Sequence, residues 1–180
     1  AFADTLAKMG ITIQGDALNA AFTRFKELAD RKVQITDADL EAIVAEELGT
    51  SVASAFSLET LEVAGGTVGV PRARVVLVRS GEKVEATAEG DGMIDASCQA
   101  IRQATGIESK LTDFNVNAVT GGVDALGDVI IQLDAGGVRV SGRGVSTDVV
   151  EASARAYLNA VNKVVRIRSR NEQRAAEVGP

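Results

Sequence analysis

The chain has 180 residues, 46% of them hydrophobic and 24% charged, enough to bury one good core and a small appendage. Its net charge of −6 argues against nucleic acid and anionic membrane as partners, because both need a basic face. With no histidine and only one cysteine, Cys98, it has no means for Ser-His-Asp or Cys-His catalysis, an internal disulfide or a Cys/His zinc site; only a carboxylate magnesium site stays open.

Aromatic residues make up 3% and Trp is absent, so the core must be Val, Ile, Leu and Ala. A single thiol suits a reducing, cytoplasmic compartment. There is no 18-residue apolar run and no signal-peptide layout at the start.

In chain order, residues 1–50 predict a helical subdomain of three short helices. Ala3–Met9 carries Leu6 and Met9 on one side and stops at Gly10. Asp16 is the expected cap of Ala17–Asp30, where Leu18, Ala21, Phe22, Phe25 and Leu28 recur at helical spacing. Thr36 and Asp39 open a third helix, Asp37–Leu48. Its Asp37, Asp39, Glu41, Glu46 and Glu47 read as a solvated acidic face rather than a metal site. Residues 50–55 (TSVASA) are small and polar and suit a flexible join.

The remainder, residues 51–168, contains a repeat. Gly121-Gly122 echoes Gly65-Gly66, Leu133 echoes Leu77, Gly137 echoes Gly81, and Ala152-Ser153 echoes Ala96-Ser97, all at one shift of 56 and with no gap. The first unit, about 52–107, predicts strands Phe56–Val63, Arg74–Arg79 and Lys83–Glu89, with Ser80-Gly81 as a hairpin turn, then helix Met93–Thr105. The second, about 108–168, predicts strands Asp113–Val119, Asp128–Leu133 and Val138–Val145, then a helix from about Asp148 to Arg168. Residues 169–180 read as a polar, frayed tail, and the arginines near it (Arg166, Arg168, Arg170, Arg174) as the dipole-complementing end of the last helix. The expected fold class is therefore α+β: short N-terminal helices, then two β-β-β-α units with internal pseudo-twofold symmetry.

The small residues on both unit helices (Ala96, Ser97, Ala100, Ala104; Ala152, Ser153, Ala156, Ala160) permit close helix approach and point to a homodimer. Two strand-to-helix corners carry the polar motifs. Glu89-Gly90-Asp91-Gly92 opens one helix, and Gly142-Arg143-Gly144-Val145-Ser146-Thr147-Asp148 sits at the corresponding corner before the other. Backbone N–H groups at such corners attract a carboxylate. Asp95, Asp124 or Asp148 could meet an ammonium, and small Ala118 and Ala125 leave room for a short aliphatic group, so a zwitterion fits. Cys98, Tyr157 and the phenylalanines read as core.

Three stretches carry a family resemblance: GDGMIDASCQAI from Gly90, LTDFNVNAVTGGVDALGDVIIQL from Leu111, and VSGRGVSTDVVEASARAYLNAVNKV from Val140. Together they resemble the C-terminal regulatory domain of 2-isopropylmalate synthases over roughly residues 52–167, and residues 1–50 resemble more loosely the helical subdomain that joins it to the catalytic barrel. Met93 departs from the pattern, which usually has Pro at that first helical position.

The resemblance implies a leucine-binding, feedback-regulatory and dimerising domain in leucine biosynthesis. The carried-over contacts are Gly90, Asp91, Gly92, Ile94 and Asp95, then Ala118, Asp124 and Ala125, then Ser146, Thr147 and Asp148. The parent enzyme would be an acyltransferase condensing acetyl-CoA with 2-oxoisovalerate on a divalent metal. The barrel that holds that metal has no counterpart here, so neither cofactor nor catalysis is expected of this chain. Two other readings stay open: an isoleucine-sensing domain of a citramalate synthase, and a ligand-free structural dimerisation module.

Overall fold

Helical spacing near the start and strand alternation further on give the elements they predict. A computed structural model describes residues 1–49, 54–119 and 121–178. Three helices come first, α1 (Phe2–Lys8), α2 (Gly15–Arg31) and α3 (Asp37–Gly49). The first unit is β1 (Ser57–Ala64), β2 (Arg72–Arg79), β3 (Glu82–Glu89) and α4 (Met93–Thr105). The second is β4 (Lys110–Ala118), β5 (Gly127–Ala135), β6 (Val138–Ser146) and α5 (Val149–Glu177). The join expected over residues 50–55 falls largely outside the described residues.

Each unit is a three-stranded antiparallel sheet, ordered β1-β2-β3 and β4-β5-β6. The β2–β3 hairpin turns at Ser80-Gly81, both at positive φ (51° and 79°), the geometry of a tight two-residue turn. The two sheets and two helices share one core. Val75 and Leu77 of β2, Ile101 of α4, Val129 and Ile131 of β5, and Tyr157 and Val161 of α5 all belong to it. Asn162 ties the halves together, its side-chain amide exchanging two 2.9 Å hydrogen bonds with the backbone N–H and C=O of Phe56 just before β1.

The repeat is real but not gapless. Leu77 of β2 and Leu133 of β5 are 56 residues apart, whereas their partners Leu58 and Leu111 are 53 apart. The same 53 relates the bulges, at Glu59 in β1 and Thr112 in β4. The β4–β5 connection is three residues longer between equivalent pairs, since Ala64 pairs with Arg72 but Asn117 with Asp128. Gly65-Gly66 and Gly121-Gly122 therefore fall in matching loops without being structural equivalents.

The small-residue stripe on α5 does a different job from the one expected. A Cβ on Gly142 would overlap the backbone of Ala156 and Ala160, and one on Gly144 the backbone of Ala152 and Ala156. The alanines thus seat α5 directly on β6 of its own chain. In the first unit Ala86 and Ala88 of β3 stand where Gly142 and Gly144 do.

Three further readings are corrected. Gln14 is the N-cap of α2, and Asp16 lies in its first turn, where its charge still favours the helix dipole. Helix α5 continues to Glu177, because Arg, Asn, Glu, Gln and Ala follow Ser169 with no Gly or Pro before Gly179. Asp39 and Glu46 are not on a solvated face: both are fully buried, Asp39 against Lys32 at 2.9 Å and Glu46 against Arg24 and Arg155. Helices α1–α3 dock on the second unit, where Leu126 and Val145 complete a core with Leu6, Ala21, Leu28, Leu40 and Ile43.

Gly142→Ala is expected to cost about 3 kcal/mol of unfolding free energy, because backbone atoms on the far side cannot rotate away. Urea unfolding checks this, and a variant within about 0.5 kcal/mol of the parent would contradict the contact.

Candidate functional site

The two strand-to-helix corners share a topology but not an environment. At the first, the Gly90 amide donates to the Pro71 carbonyl at 3.1 Å, closing the end of β3 over β2. The first turn of α4 lies so close that a Cβ on Gly90 would strike the Ala96 backbone and the Asp95 carboxylate. Asp95 Oδ2 accepts the Asp91 amide at 2.9 Å, which holds the Gly90–Gly92 turn against the helix. Gly92 is the N-cap and has no side chain to offer, so no side chain caps the first-turn N–H groups of α4.

The second corner is closed. Asp148 caps α5 by accepting the Val150 amide at 2.9 Å, and Ser146 Oγ accepts the Asp148 amide at 3.1 Å. Ser146 Oγ in turn donates to Glu151 Oε2 at 2.7 Å, which also takes Arg31 Nη1 of α2 at 2.8 Å. Burial pushes the Glu151 carboxyl up, but the hydrogen bonds from Arg31 and Ser146 outweigh it and hold it below the ordinary carboxylate range. Ser146 and Thr147 face Arg24, Leu28, Arg31 and Ile43 across a crevice of about 10 Å³, too small for a ligand.

Beside the open corner runs a groove of about 600 Å³ between α4 and β4. Ile94, Cys98 and Gln99 form one wall, Leu111 and Phe114 the other, and Tyr157 of α5 also lines it. Asp95, Arg102 and Lys110 contribute charge of both signs. The apolar wall continues along β4. Leu111, Phe114, Val116 and Ala118 pair with Leu133, Ile131, Val129 and Gly127, so they share the inner face of the sheet. Helix α5 packs on β5 and β6 and leaves this stripe bare, with Leu111 and Val116 41% and 45% exposed.

Of the expected site residues, Ile94 and Asp95 line the groove, and Gly90, Asp91 and Gly92 form the turn beside them. Ala118 lies at the far end of the β4 stripe. Ala125 and Asp124 sit in the β4–β5 loop, half-buried, and the Val119 amide closes that loop on the Leu126 carbonyl at 2.8 Å. Register places Ala118, Gly127 and Ser146 side by side across the second sheet. Ser146, Thr147 and Asp148 belong to the closed corner, apart from the groove. Leu111, Phe114, Gln99, Arg102, Ser109 and Lys110 were not foreseen as site residues. The alternation of Phe114, Val116 and Ala118 against Asn115 and Asn117 announces an apolar strand face, but not that its own helices leave it uncovered. Cys98 and Tyr157 are core as read, and the outer edge of that core is the groove.

Among the described residues no cluster of His, Cys, Asp or Glu is arranged to hold a metal ion, and no helix is long and apolar enough to cross a membrane.

Residues 34–165 match the family described as the LeuA allosteric (dimerisation) domain. The chain belongs to that family. The matched span takes in α3, the first β-β-β-α unit, the second as far as residue 165 of α5, and the groove. As a LeuA-type domain it is also 55% identical over 174 residues to 2-isopropylmalate synthase of Acidimicrobium ferrooxidans, covering 97% of this chain and 34% of the relative. The corresponding enzyme of Pelotomaculum thermopropionicum is 50% identical over 166 residues, covering 92% and 33%. That of Carboxydothermus hydrogenoformans is 45% identical over 166 residues, covering 92% and 32%. The chain thus spans about a third of the length of these relatives.

Burial, with Asp95 adding to it, pushes the Cys98 thiol up to about 12. That leaves roughly a thousandfold less thiolate at pH 8 than in an unfolded chain. Native protein should therefore react with iodoacetamide at least about a hundredfold more slowly than denatured protein; equal rates would show that the groove does not shield Cys98.

Proposed function

We propose that this domain binds leucine at the β3–α4 corner and its groove, dimerises through the bare face of β4, and serves as the feedback-regulatory part of an enzyme of the 2-isopropylmalate synthase class. The observation that carries the proposal is the open corner. Uncapped N–H groups at the start of α4 suit a carboxylate, the Asp95 side chain suits an ammonium, and Ile94 and Phe114 supply an apolar wall for a branched aliphatic chain. The groove is walled on two sides only, and the Leu111–Ala118 stripe continues from it. A second copy seated on that stripe would cover the apolar residues and close the pocket, in keeping with the family's dimerisation role.

The proposed contacts are Gly90, Asp91, Gly92, Ile94, Asp95 and Phe114 from one chain. Ala118, Asp124 and Ala125 join them along the same stripe or from the second copy. Ser146, Thr147 and Asp148 are left out of the set: the Ser146 hydroxyl is engaged by Asp148 and Glu151, the Asp148 carboxylate caps α5, and Ser146 and Thr147 line only the crevice of about 10 Å³ against α2. With leucine bound, one arrangement of the domain is favoured over another, and that bias lowers the activity of the catalytic part.

Calorimetry on the dimer is the test. Leucine should bind at millimolar concentration or below and more tightly than isoleucine. Gly92→Val, at a position where an added Cβ meets nothing in the fold, should abolish the heat while the protein stays folded and dimeric. No heat from leucine with a folded dimer confirmed would overturn the proposal, and tighter binding of isoleucine would move the domain to the citramalate branch.

A further inference from the structure

The shift of 56 that relates β2, β3 and α4 to β5, β6 and α5 lays the two corners over each other. Gly90 corresponds to Ser146, Gly92 to Asp148, and Asp95 to Glu151. The acidic position is therefore kept, but its partner changes. Asp95 folds back on its own turn, while Glu151 holds Arg31 from the helical segment. The same segment grips the end of β6 at a second point. Arg24 donates to the Val145 carbonyl and to Glu46 Oε2, and Glu46 also accepts the Val145 amide at 3.3 Å and Arg155 Nε at 2.7 Å. Arg155 stands one turn along α5 from Glu151, so both grips act on the start of one helix.

Glu46 is fully buried, and its carboxylate bridges α2, β6 and α5 in a place where water cannot substitute. Arg31 is half-exposed, so its removal leaves the packing intact. Helices α4 and α5 contribute to the same core, which gives the open corner a route to the closed one. We propose that the closed corner is an internal counterpart of the effector corner, and that Arg31 and Glu46 are positioning residues that couple effector binding to helices α2 and α3. The inference rests on the reading that the open corner takes leucine. Occupancy at the start of α4 shifts α4 against α5, and the two grips carry that shift into the helical segment.

Hydrogen exchange by mass spectrometry on the whole chain, with and without leucine, tests the coupling. In the parent, saturating leucine should slow exchange in α2 and α3 by about fivefold or more. Arg31→Ala and Glu46→Gln should keep leucine affinity within about threefold by calorimetry yet lose that protection. Protection of α2 and α3 that survives in both variants would overturn the inference, as would heat of binding with no protection in the parent. If leucine gives no heat at all, the functional proposal fails, and the ligand-free comparison still judges the joint. There Glu46→Gln should speed exchange in α2 and α3 about tenfold with α4 unchanged; equal exchange would dismiss the joint as well.

Discussion

Backbone contact between β6 and α5 sets the geometry of the second unit. Gly142 and Gly144 present no side chains, and Ala152, Ala156 and Ala160 present only methyl groups, so helix and strand meet at main-chain distance. Such proximity fixes where α5 can lie: over β6 and β5, not over β4. The rest follows from that placement. Leu111, Phe114, Val116 and Ala118 keep an apolar inner face with no helix of their own chain above it, and the groove opens between that face and α4. In a single-layer sheet half-covered by one helix, an uncovered apolar strand is a surface that a folded protein buries against something else.

The two corners show how duplication can yield unlike sites. A matching backbone supplies each with a helix start and an acidic residue one turn in. At Gly92 the capping side chain is missing and the corner stays open. At the second, Ser146, Asp148 and Glu151 satisfy one another, and α2 delivers an arginine on top. One half of the molecule is thus free to meet a ligand while the other is committed to holding the helical segment.

Much of this was legible in the residues. Period-2 alternation in Lys83–Glu89, the Ser80-Gly81 turn, the Gly106 stop after α4 and the echo between halves gave the α+β architecture, and the Gly90–Asp95 motif pointed to the corner that proved open. What escaped has physical reasons. A one-dimensional match cannot distinguish residues that are paired from residues that merely share a loop, so the three-residue difference between the β1–β2 and β4–β5 connections was invisible. Alanines at helical spacing signal close approach without naming the partner, and here the partner is a strand of the same chain. Glu46 looks solvated beside Glu47 in sequence, because the arginines that bury with it lie 22 and 109 residues away. Corner motifs of similar composition gave no sign that Arg31 would fill one of them.

The central claim is that leucine sits at the open corner, in a pocket walled by α4 and β4 and completed by a second copy. A crystal structure of the dimer grown with leucine tests it most directly. The account predicts density for one leucine against the Gly90–Gly92 turn, with its carboxylate at the start of α4, its ammonium near Asp95 and its side chain between Ile94 and Phe114. Leucine bound instead between α2 and the Ser146–Asp148 corner, or a dimer that leaves the β4 stripe exposed to solvent, would contradict it.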